Sequence, residues 1–293
     1  MKSFEESDYR RTVEEIGEAR FLPGTSIEIV RDVDLVSPPE HVLFDFDGTL
    51  SLIREGWPEV MAPLMVEVLQ GTGTDEPPDT LHQLALDFIM ELTGKQTIYQ
   101  MIRLAEEVQN RGGKPQEPTE YKQMYHDRLM DRIRSRRDDL ASQRVSPDEM
   151  LVPGSAALLQ ALDDTGVTLY LASGTDEQYV VEEAELLGLT PFFNEHIYGA
   201  VEDYKSFSKA RVIQRILETN RVEGTRLVGF GDGFVEIQNV KEAGGTAVGV
   251  ASDEAGRSGM PDVWKRDRLI GVGADMVIPD FRDYHQLVAY LWR

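Results

Sequence analysis

The stretch HVLFDFDGTL, residues 41–50, decides how the rest of the chain is read. Val42, Leu43 and Phe44 follow the turn signal Ser37-Pro38-Pro39, so the run predicts a short β-strand released from a loop. It ends in Asp45 and Asp47, two like charges one residue apart, and then in Gly48-Thr49. Asp and Gly are common in solvated turns. A strand end that gathers negative charge also suits a cation site, and the ten residues by themselves leave both readings open.

Beyond residue 150 strands and helices alternate. The helix SAALLQALDDTG leads into the strand VTLYLA, followed by the helix EQYVVEEAELLG and a strand around HIYGA. The helix KARVIQRILETN, the strand RLVGFG, the helix VEIQNVKEAG and the strands TAVGV and ADMVI come next. This rhythm predicts an α/β fold, a doubly wound parallel sheet with right-handed crossovers, and VLFDF is its first strand. The near-continuous apolar strands imply that both faces are covered.

From Leu52 to Met150 apolar residues instead recur at three and four, as in LHQLALDFIMEL and TIYQMIRLAEEVQ, which predicts helices with no strand. The expected organisation is an N-terminal extension over 1–40, an α/β core over 41–51 and 151–293, and an inserted all-helical unit over 52–150. The extension begins with an amphipathic helical pattern and continues into the β-rich SIEIVRDVDLV.

Ligands of open α/β sheets bind at the carboxyl ends of the strands. VTLYLA is followed by Ser173-Gly174-Thr175, a small hydroxyl expected in a tight turn, and RLVGF by Gly231-Asp232-Gly233, with Glu236 four residues past Asp232. Lys209 stands at a helix start, where the macrodipole disfavours a cation unless it faces an anion. Lys205 competes with it for that role. Each has an ordinary reading alone: an N-cap for Ser173, a turn for Gly-Asp-Gly, a surface lysine for Lys209. No structural rule asks for all of them at one sheet edge.

The 293 residues carry a formal net charge of −22, which argues against nucleic acid or an anionic membrane as partner. The absence of cysteine excludes disulfides, thiolate nucleophiles and thiolate-bound zinc. MKSFEESDYR lacks the apolar stretch of a secretory signal, and no run approaches the roughly 20 apolar residues of a membrane span. A cytoplasmic protein is the expectation.

On these motifs the sequence resembles the haloacid dehalogenase superfamily: DFDGT at 45–49, the serine of LASGT, Lys209 before a helix, and GDGFVE with Asp232 and Glu236. The helical insert resembles the cap of its phosphoglycolate phosphatase and β-phosphoglucomutase type. The resemblance implies a Mg2+-dependent phosphatase acting on a small phosphorylated metabolite through an aspartyl phosphate. Asp45 would be the nucleophile and Asp47 the general acid and base. Ser173 and nearby backbone, including Gly174, would hold phosphate oxygens, and Lys209 would neutralise charge. Mg2+ would be held by Asp45, Asp232 and the carbonyl of Asp47, with Glu236 behind them. Asp47 points to cleavage at a phosphate oxygen, because members that break carbon–halogen bonds need no acid there. A sugar phosphomutase is the alternative; a phospho-receiver and a non-catalytic sugar-phosphate binder stand behind it.

Substrate choice would then lie in the cap. Thr93-Gly94-Lys95-Gln96 forms an expected loop between two cap helices, with Lys95 either reaching a second anionic group or standing in solvent. Arg54 and Trp57 follow the first motif in the segment expected to close over the site. Residues 122–144 carry seven Lys/Arg against four Asp, either a solvated helix face or an anion-attracting surface. Both junctions of the insert are expected to act as hinges.

Overall fold

The computed structural model describes residues 8–14, 16–33, 37–201, 207–220 and 223–292. Strands β1 (Glu28–Ile29) and β2 (His41–Phe44) precede four helices, α1 (Pro58–Gln70), α2 (Pro78–Glu91), α3 (Thr97–Asn110) and α4 (Pro118–Ala141). Then come α5 (Ser155–Thr165), β3 (Thr168–Asp176), α6 (Glu177–Leu186), α7 (Thr190–Phe193), β4 (Ile197–Ala200), α8 (Lys209–Asn220) and β5 (Leu227–Gly231). The chain continues through α9 (Phe234–Glu242), β6 (Thr246–Val250), α10 (Val263–Gly271), β7 (Met276–Ile278) and α11 (Tyr284–Leu291).

The strands form one sheet in the order β1-β7-β6-β5-β2-β3-β4. Only β1, on the edge, runs antiparallel; every other pairing is parallel. This is the doubly wound α/β class expected from the alternation. From β2 the chain winds outward through β3 and β4, then returns to the other side of β2 for β5, β6 and β7. The reversal puts a crevice at the carboxyl ends of β2 and β5, where such sheets bind ligands.

Period-two alternation divides β2 between two cores. Val42 and Phe44 join the cluster that continues into α1–α4, while Leu43 joins the cluster under α8, α9 and α10. Phe44 stacks on Phe230 of β5 at 4.8 Å, and Phe281 and Phe193 meet it edge-on. These buried rings are the floor on which the residues after β2 and β5 stand.

The chain leaves and re-enters the α/β body through one short ribbon. Leu52 N–H donates to Met150 O at 2.8 Å, Val152 N–H donates to Leu50 O at 2.9 Å, and Ser51 pairs with Leu151 between them. Beyond the ribbon α1 packs on α2 and α4, and α3 on α4. The basic stretch of α4 pairs with carboxylates on other elements, Arg128 with Glu67, Arg136 with Glu55 and Arg137 with Glu182. That favours the helix-face reading of residues 122–144.

Two local expectations are corrected. Residues 8–14 and 16–20 form no helix. The N–H groups of Thr12 and Val13 both donate to Gly271 O, at 2.7 and 3.0 Å, and Tyr9 packs edge-on against Phe234. Docking on the core outweighs the local helical pattern. Ser173 is not in a tight turn after β3. The strand runs on through Ser173, Gly174 and Thr175 to Asp176, and its pairing with β4 shifts register between Ala172 and Asp176. The irregularity re-aims these side chains without ending the strand.

Candidate active site

Asp45 follows β2 and is nearly buried; its N–H continues the ladder to Phe230 O at 2.9 Å. Its Oδ1 accepts from Phe46 N–H at 2.8 Å and lies 2.9 Å from Lys209 Nζ. Lys209 opens α8, is 1% exposed, and also touches the carboxylate of Glu236 on α9. A cation at a helix start is tolerable here because two anions meet it. Burial raises the Asp45 carboxyl above its ordinary range, Lys209 pulls it down, and Asp232 adds to the rise.

Asp47 stands in different surroundings. Its Oδ2 accepts from Thr175 Oγ1 at 2.8 Å and, at the limit of a hydrogen bond, from Ser173 Oγ at 3.5 Å. Its Oδ1 faces Arg54 Nε at 3.7 Å and makes no hydrogen bond. Burial pushes this carboxyl up to about 7, with Arg54 opposing the rise and Glu183 adding to it. Arg54 is itself gripped by Glu183 of α6, through Nε at 3.0 Å and Nη2 at 2.9 Å. Such two-point contacts fix orientation as well as charge.

Gly48, at φ +73°, separates these groups from Asp232: a Cβ there would overlap Asp232 Oδ2, so the approach of the two strand ends requires glycine. Thr49 Oγ1 accepts from Asp232 N–H at 2.9 Å. Asp232 Oδ2 accepts from Lys265 Nζ at 2.8 Å, and the same ammonium reaches Glu254 Oε1 at 2.6 Å and Ser252 Oγ at 3.0 Å. Burial opposes the charge on Lys265, but Asp232 and Glu254 outweigh it and hold the ammonium above the usual lysine range.

The fourth wall comes from the loop between α2 and α3. A Cβ on Gly94, at φ +101°, would lie 3.1 Å from Gly233 Cα, and one on Gly174 would lie 3.3 Å from Gln96 Cα. Backbone therefore meets backbone at both contacts. Lys95 is buried against the Tyr99 ring, and its Nζ donates to Asp8 Oδ1 at 2.7 Å. The resulting cavity is lined by Asp45, Asp47, Arg54, Trp57, Lys95, Ser173, Gly174, Lys209 and Asp232, among others. Glu236 lies behind Lys209. Gln96 does not line the cavity; its Nε2 donates to Phe207 O at 3.1 Å. Lys205 lies outside the described residues.

Among the described residues no group of three or more His, Asp or Glu is arranged as a metal site. The cavity does bring the carboxylates of Asp45 and Asp232 together. Two hard carboxylates, supplemented by a backbone carbonyl and waters, are a donor set that suits Mg2+ rather than a softer metal.

The family model of the haloacid dehalogenase-like hydrolases matches residues 39–244. The chain belongs to that family. It is an enzyme of hydrolase type. Among solved structures, a predicted phosphatase from Clostridium acetobutylicum aligns at 17% identity with TM-score 0.57, covering 87% of this chain and 100% of that one. A predicted phosphoglycolate phosphatase from Haemophilus somnus aligns at 16% identity and TM-score 0.55, covering 86% and 99%. A haloacid dehalogenase family hydrolase from Deinococcus radiodurans, with bound phosphate and sodium, aligns at 21% and 0.52, covering 87% and 97%. These likenesses are likenesses of fold. No curated protein matches the chain.

Several residues of the hydrolase's site do not stand out in the sequence. Lys265 lies in the first turn of α10, the same disfavoured place that drew attention to Lys209, so the signal was available. Glu183 falls on the apolar stripe of Val180 and Ala184 on α6, where a carboxylate has to find a buried partner. Thr175 reads in the sequence as part of a turn. Asp8 carried no local signal, since its role arises from a contact 87 residues away.

Proposed function

We propose that this hydrolase is a Mg2+-dependent phosphatase that acts on a small phosphomonoester through an aspartyl phosphate on Asp45. The observation that carries the reading is the division of labour between two neighbouring carboxylates. Asp45 is paired with a buried ammonium, whereas Asp47 sits among hydroxyls with its protonation poised near neutrality. Two like groups driven into different environments supply a nucleophile and an acid.

Asp45 attacks phosphorus as the carboxylate, and the P–O bond to the leaving group breaks. Asp47 gives its proton to the departing oxygen and then takes one from the water that attacks the acyl phosphate. That second attack releases inorganic phosphate and restores Asp45. Ser173 and the backbone around Gly174 orient the phosphoryl oxygens, and Lys209 offsets their charge, which is most of what phosphoryl transfer asks of a protein. Asp45, Asp232 and the Asp47 carbonyl would hold Mg2+, which supplies further neutralisation of the phosphoryl charge when bound.

A panel of phosphorylated metabolites, assayed for phosphate release with Mg2+, tests the reading. Steady release from at least one alkyl phosphate is expected. No release from any ester would overturn it, and accumulation of an isomeric sugar phosphate instead would assign a phosphomutase.

A further inference from the structure

The N-terminal segment does more than cover the core. Arg11 holds Asp267 of α10 through Nη1 at 2.8 Å and Nη2 at 3.1 Å, and its Nε donates to Val13 O at 2.9 Å. Tyr9 lies under the Arg268 guanidinium, 4.0 Å from its carbon, and against Phe234 at the start of α9. With Thr12 and Val13 bonded to Gly271, the backbone at 9–13 is anchored on α9 and α10. The next residue outward, Asp8, meets Lys95 of the inserted helical unit.

The two ends of that contact differ. The Lys95 side chain is 4% exposed and lines the candidate active site, whereas the Asp8 side chain is 86% exposed. The substrate cavity therefore has, at its cap wall, a cation already neutralised by a carboxylate of the N-terminal segment. A leaving group with hydroxyls finds a donor in Lys95, whose charge Asp8 already offsets from outside the cavity lining. A leaving group with its own negative charge must displace Asp8 or lie beside it.

We infer that Asp8 is a specificity-determining residue that favours a neutral, hydroxyl-bearing leaving group over one with a second negative charge. The inference rests on the phosphatase reading and narrows its substrate class.

Glucose 6-phosphate and 6-phosphogluconate present the same phosphate, but the second adds a carboxylate. Their dissociation constants are measured by calorimetry on an Asp45→Asn background, with and without Asp8→Ala, so turnover is not needed. Asp8 is exposed, so its removal leaves the fold intact, and the ratio of the two constants cancels effects on the shared phosphate. Without Asp8 the ratio should move toward 6-phosphogluconate by about fivefold, the scale of a partly exposed ion pair. Asp8→Glu, which restores the charge, should return most of the preference. An unchanged ratio, a move toward glucose 6-phosphate, or binding of neither ester overturns the role of Asp8. Phosphate release by the unaltered enzyme reads the phosphatase assignment separately, so the two failures are distinguishable.

Discussion

The core wall and the cap wall of the cavity each hold a lysine against an aspartate, and they hold it differently. Lys209 and Asp45 are 2% and 8% exposed at their side chains; Lys95 and Asp8 are 4% and 86% exposed. The first pair is largely buried at both ends, where a lost partner leaves an uncompensated buried charge. The second has water at one end, where exchange of one anion for another costs little. On the proposed reading the difference separates chemistry from selection: the core wall would stay as it is, and the cap wall would trade partners.

The largest expected effect is on the core wall. Asp45→Asn keeps the shape but removes the proposed nucleophile, so kcat should fall by at least about a thousandfold with the circular dichroism spectrum unchanged. Activity well above that level would detach the chemistry from Asp45.

That pair was legible in the sequence for a physical reason. Asp45, Asp47 and Asp232 sit directly after strands, and Lys209 opens a helix, so their positions follow from local pattern and sheet topology. The doubly wound parallel class follows from the same rhythm, whereas the adjacency of β2 and β5 is seen only in the sheet itself. Glu183, Glu254 and Asp8 depend instead on which distant surfaces meet. The pattern at residues 8–14 is helical, but their backbone partners lie on α10, which local sequence does not show. The continuation of β3 through Ser173 is not legible locally, because Ser-Gly-Thr reads as a turn until β4 is beside it.

Next in size is the metal. Chelation should abolish turnover and added Mg2+ should restore it. Asp232→Ala should weaken Mg2+ binding by about 10- to 100-fold, followed by titration calorimetry. Full activity in chelator would remove the metal from the core wall altogether.

Glu183→Ala probes the buried brace behind Asp47. It leaves the Arg54 guanidinium without its two-point partner, and the loss of stability should be about 3–5 kcal/mol, read from denaturant unfolding. A loss below about 1 kcal/mol would mean that Asp47 or solvent compensates Arg54.

The smallest effect belongs to the cap wall. Lys95→Ala should lower kcat/KM for the preferred metabolite by about tenfold, the value of one charge-assisted hydrogen bond, while p-nitrophenyl phosphate is hydrolysed almost as before. Equal losses on both substrates would place Lys95 with the core residues and erase the contrast.

The ribbon that joins the helical unit to the core has a mechanical consequence. Leu50–Leu52 and Met150–Val152 are bonded to each other, so the two crossings are not independent pivots. A paired ribbon bends across its plane and twists, but its strands do not slide past one another while the Leu52 and Val152 amides remain engaged. The helical unit thus has few rigid-body degrees of freedom: it can swing, and it has little scope to shift sideways. Every opening then returns Lys95 to the same place above Gly174. The signature of this constraint is slow hydrogen exchange at Leu52 and Val152 even while the 93–97 loop exchanges fast; rapid exchange at both amides would instead mean that the ribbon unzips.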